Sequence, residues 1–185
     1  MACERPRVGA DGLARMSQPM EPDKVYQRIG EFVVLFQWVE NTFREIGWFI
    51  LDPQRKDWPP QQLRTETTHD LIEKVDALFA SVIGTIGLPD AIDRREHFRS
   101  LVDRFHDARK YRNRCLHSAY IELKAGGEVQ AFMRSNPKLS LDPESQEPVF
   151  DQEILSEKSF AAEMIELAEI GFAAGTHYKQ LLARL

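Results

Sequence analysis

Arg112-Asn113-Arg114-Cys115-Leu116-His117 brings a guanidinium, an amide and an imidazole into six consecutive residues. These groups suit phosphate chemistry. A guanidinium grips phosphate oxygens through two parallel hydrogen bonds, and an imidazole exchanges protons near neutral pH. Counted at about 100° per residue on a helix, Arg112 falls inside the apolar stripe of Phe98, Leu101, Val102, Phe105, Ala108, Cys115, Leu116 and Ala119. Dehydrating an unpaired guanidinium there is costly, so the position calls for a carboxylate, a phosphate or a water-filled cleft. Glu40, in the apolar stripe of the first helix, is the internal candidate to hold it. A structural ion pair between the two would account for both residues without His117.

The same count places His106, Lys110, Asn113, Arg114 and His117 on one face, with Asn113 one turn before His117. Lys110 and Arg114 are therefore candidate contacts to a phosphate backbone, together with Arg109 of the same basic segment. From Arg94 to Arg114 there are eight basic and three acidic residues, which leaves this segment at +5 and the rest of the chain at −10. Either a phosphate-facing patch or an ion-paired solvent face explains that imbalance. Asp103-x-x-His106 has the spacing of the carboxylate–histidine pairs of di-iron bundles, which need two such pairs and two further glutamates. Cys115 and His117 point apart on a helix, so Cys115 reads as a small core residue. The sequence has no glycine-rich phosphate loop, zinc-ligand spacing or serine-nucleophile elbow, so no metal or cofactor is expected.

A long helix from Pro22-Asp23 to Leu51 is predicted, with Val25, Ile29, Phe32, Phe36, Val39, Phe43, Ile46 and Ile50 as its inner stripe. Val34, Trp38 and Phe49 make a second apolar face, which implies a central helix or one shared with another subunit. Asp52 to Glu66 is proline-punctuated loop, and Thr67 with Asp70 caps a second helix. Asp90 starts the third, which should end between Ser118 and Ile121. Tyr120–Lys124 and Val129–Met133 flank Ala125-Gly126-Gly127-Glu128 as a hairpin, followed by a polar stretch from Asn136 to Pro148. The last helix should begin between Asp151 and Phe160 and turn Ala161, Ile165, Ala168, Phe172, Gly175, Tyr178 and Leu182 inward. The expected fold is all-α, an antiparallel four-helix bundle with a small β-hairpin between helices three and four.

Residues 1–20 read as a disordered leader without the apolar core of a secretory signal, and 21–185 as one helical domain. The sequence has no apolar run long enough to cross a membrane. Two cysteines, Cys3 and Cys115, make no disulfide framework, and a reducing cytoplasm is the expected compartment.

Arg-Asn-x-x-x-His near the end of the third helix, together with a long first helix carrying Glu40 in its apolar stripe, resembles the HEPN superfamily over Pro22 to Leu185. The resemblance implies metal-independent RNA cleavage by two copies of the motif meeting in a homodimer. His117 would then act as acid and base, Arg112 would steady the phosphate and Asn113 would support them. It also implies a place in toxin-antitoxin or antiviral defence, with an antitoxin or other protein as partner. The residues themselves leave two alternatives open, a non-catalytic protein-interaction module and an RNA- or nucleotide-binding module.

Overall fold

The computed structural model describes residues 20–87, 90–141 and 148–185, so the expected leader lies, but for Met20, outside the described residues. The fold is mostly helical, with a small antiparallel sheet. Helix α1 spans Pro22–Leu51, with proline in the first turn, where a missing N–H costs nothing. Val25, Phe32, Phe36, Val39, Phe43 and Ile46 of its predicted stripe are fully buried. The proline-rich stretch that follows is irregular apart from a 3-10 turn at Gln61–Leu63. Helix α2, Thr68–Ile83, begins as the sequence predicts: Thr67 Oγ1 accepts from the Asp70 amide, covering one of the first free N–H groups.

Helix α3 covers Ala91–Leu116. Asp90 precedes it with φ of 58°, and its carbonyl accepts the first helical bond from the Arg94 amide. The helix ends at Leu116, earlier than its apolar spacing implies. Ala119 already pairs with Ser135, so Tyr120 and Ile121 join a ladder instead of another helical turn.

Strands β1 (Ala119–Ala125), β2 (Glu128–Leu141) and β3 (Pro148–Ile154) form one antiparallel sheet in that order. The β1–β2 turn places Gly126 and Gly127 at φ of 62° and 88°, a conformation that glycine adopts without strain. The third strand corrects the expected hairpin. β2 runs on past Met133, and its register shifts between Ser135 and Leu139, where Pro137 has no N–H to donate. On both sides of the shift β2 pairs with β3, Met133 opposite Ile154 and Leu139 opposite Phe150, in a segment too polar to announce itself as strand.

Helix α4, Ala161–Leu182, begins just after the predicted range. It buries Leu167, Ile170, Gly171, Ala174, His177 and Leu181, whereas Ile165, Phe172 and Leu182 of the expected inner stripe are exposed. The helix is apolar on two sides, and the buried side includes Gly171 and Ala174. A Cβ on Gly171 would lie 2.5 Å from the Trp38 ring, so only glycine lets α4 come this close to α1.

The chain divides into two compact units. One, Met1–Arg28 with His117–Ala161, holds the sheet and buries Phe132, Leu155 and Phe160. Within it Arg134, almost wholly buried, bonds Asp151 and Glu153, each at 3.2 Å. The other, Ile29–Leu116 with Ala162–Leu185, contains most of the helical core. Phe43 stacks on Phe105, and Phe79 on Phe98. Phe36 packs on Phe105 at 5.0 Å, and Phe79 meets His177 edge-on, so side chains of all four helices meet in one core.

Candidate functional site

The C-terminal part of α3 is anchored by Ala108, Tyr111 and Cys115, which are buried, with Tyr111 set edge-on to Phe32. That leaves Arg109 and Arg112, one turn apart, half-buried at the margin of the core. The Arg112 guanidinium lies over Phe36, 5.2 Å from the ring centroid, and its Nη1 donates to Asn113 Oδ1 at 3.0 Å. Its Nε is buried and has no partner, and the same holds for Arg109 Nε. Among the described residues neither guanidinium has a carboxylate partner.

Glu40 does not fill that role. One of its oxygens accepts from Arg44 Nη2 at 2.9 Å and the other from Thr68 Oγ1 at 2.7 Å. The expected Glu40–Arg112 tie is replaced by a local one, because Arg44 is one turn along the same helix and reaches Glu40 without crossing the core. Arg44 also donates to the Leu63 carbonyl. Lys110 is exposed and pairs with Asp107 at 2.8 Å, which holds the Asp107 carboxyl below its ordinary range. Arg114 is exposed and lies over the Tyr111 ring.

His117 is the first residue after α3 and is exposed. Because the helix stops before it, the helical count that put it on one face with Asn113 and Arg114 does not apply. His106 leaves that face too. It is half-buried, and its Nε2 lies 2.7 Å from Glu73 Oε1 on α2.

In the N-terminal part of α3, Arg99 and Arg104 are satisfied internally. Arg99 bonds Asp76 and Asp103, both at 2.9 Å, with a longer contact to Glu73 at 3.4 Å. Arg104 forks onto Glu166 through Nε and Nη2, and Nη2 reaches Glu169 at 2.9 Å. The Glu166 carboxyl is held below its usual range by that fork. Glu73 is lowered in the same way, first by its bond to His106.

Two histidine pairs were not legible in the sequence. His69 and His106 stand with ring centroids 5.0 Å apart beside Glu73. His97 Nδ1 lies 3.0 Å from His177 Nε2, and burial pushes His177 down to about 4, with the positive charges of His97 and Arg94 adding to the effect. His177 Nδ1 is buried without a partner. The sequence signals for the first group were His69 and Glu73 at helical i, i+4 spacing and His106 in Asp103-x-x-His106.

Compared with family models, curated proteins and solved structures, the chain has no match.

Proposed function

We propose that this protein is a metal-independent endoribonuclease of HEPN type, acting as a homodimer of four-helix bundles. The observation that carries the reading is the contrast on α3: Arg99 and Arg104 are saturated by carboxylates, whereas Arg109 and Arg112, half-buried, have none among the described residues. A guanidinium held at the margin of a core without an internal anion is ready for an external one, and a phosphodiester fits its planar fork. Arg112 would bind the phosphate with Asn113 steadying its Nη1, and Arg109, Lys110 and Arg114 would hold the neighbouring backbone.

His117, exposed and next in sequence after α3, is the acid–base group of this reading. RNA supplies its own nucleophile. One imidazole removes the proton from the 2′-hydroxyl, the 2′-oxygen attacks phosphorus, and a second imidazole protonates the departing 5′-oxygen. The products are a 2′,3′-cyclic phosphate and a 5′-hydroxyl. Each chain has one His117, so the second imidazole comes from a second copy. Exposed Val34 and Trp38 on α1 and Ile165 and Phe172 on α4, at 53–77% of full exposure, supply apolar area for that association.

The same apolar side chains favour a second reading, a non-catalytic helical module that binds a protein partner such as an antitoxin. Incubating RNA with the purified protein in EDTA and reading the product ends separates the two. The nuclease reading expects cyclic-phosphate ends, lost by roughly 10²–10⁴-fold in His117→Ala with folding unchanged. Undiminished cleavage by that variant, or none by the native dimer, overturns it.

A further inference from the structure

We propose that His69, Glu73 and His106 form a zinc site that ties α2 to α3. His69 and Glu73 are one turn apart on α2, so both project from one face, and α3 presents His106 against them. Each residue offers a ligand atom, and the three atoms lie within 4.8 Å of one another. Two imidazoles and one carboxylate are a donor set that suits zinc, and bonds of about 2 Å in a tetrahedron put ligand atoms roughly 3.3 Å apart. The existing separations bracket that value, since His106 Nε2 is already 2.7 Å from Glu73 Oε1. His69 is exposed, so its ring can swing in on solvent-facing torsions.

The surroundings permit the exchange. The ion would take the place of the proton now shared between His106 Nε2 and Glu73, and the ring proton would move to Nδ1. Besides its bond to His106, Glu73 would give up its 3.4 Å contact with Arg99, whose shorter bonds to Asp76 and Asp103 remain. His106 Nδ1 is buried and has no acceptor. Buttressing of the second ring nitrogen is worth roughly 10–100-fold in metal affinity, so this site should bind in the micromolar range rather than tighter. Three protein ligands leave a fourth position, beside exposed His69, for water or a ligand atom.

Titration of the metal-free protein with Zn(II), followed by calorimetry and thermal melting, tests this. One equivalent per chain and a rise in Tm are expected, with Co(II) giving the visible bands of a low-coordinate site. His69→Ala removes an exposed ligand without touching the core. It should weaken binding at least tenfold and abolish the Tm rise, as should Glu73→Gln, whereas His97→Ala should leave both unchanged. Absence of stoichiometric binding at about 100 μM metal, equal binding by His69→Ala, or loss of binding in His97→Ala overturns the site. None of these readouts depends on RNA cleavage.

Discussion

The two halves of α3 use the same residue type in opposite ways. Before Asp107 two arginines are cross-braces: Arg99 ties to Asp76 and Asp103, and Arg104 reaches across to Glu166 and Glu169 on α4. From Ala108 onward, Arg109 and Arg112 lie at the edge of the aromatic core with buried Nε atoms unmatched. A fold could have placed a carboxylate opposite Arg112, and Glu40 was available on α1. Arg44 and Thr68 engage it instead. The difference teaches that charge count along a helix says little about anion binding. Internal pairing decides which cations remain for a ligand.

The contrast breaks most sharply at Arg112. On the nuclease reading, Arg112→Gln should lower RNA cleavage by about 10²-fold and flatten the salt dependence of RNA binding by about one charge, because it would remove a phosphate contact. Unchanged turnover and salt slope would mean that the unmatched guanidinium is idle. Arg112→Lys should rescue the salt slope but not turnover, since an ammonium cannot fork.

A second test probes the braced half through His177. Its unfolded value is near 6.5 and its folded value about 4, so as pH falls the unfolded chain takes up a proton first. The stability this group provides is complete above about pH 6.5 and drains away as pH approaches 4. Between pH 7 and pH 5 the loss should be about 2 kcal/mol. Denaturant melts at both values check it, and His177→Gln should flatten that limb. An equal pH dependence in the variant would assign the acid sensitivity elsewhere.

The smallest effect belongs to Arg104→Gln. Its fork is over a third exposed, so solvent screens it, and roughly 0.5–1 kcal/mol of stability should be lost. RNA affinity per folded molecule should stay the same. A fall in RNA affinity larger than that of Arg112→Gln would reverse the roles assigned to the two halves.

Local pattern carried much of the fold. The bounds of α1, the Thr67 cap of α2, the start of α3 at Asp90 and the glycine turn between β1 and β2 all depend on residues within four positions of one another, and the structure shows each. Other features depend on partners far along the chain. The third strand exists because β2 offers it a ladder, and α3 stops at Leu116 because Ala119 has a partner in Ser135.

By itself the sequence determined the helices, the Thr67 cap and a motif with the functional groups for phosphate chemistry, because hydrophobic period and capping act over one or two turns. Only the tertiary structure decided which apolar side of α4 turned inward, that Glu40 would serve Arg44, and that His69 and His106 would meet beside Glu73. Those outcomes are choices among energetically similar local options. Close packing resolves them: Gly171 admits Trp38 where a larger residue could not, and burying one face of α4 leaves Phe172 on the surface.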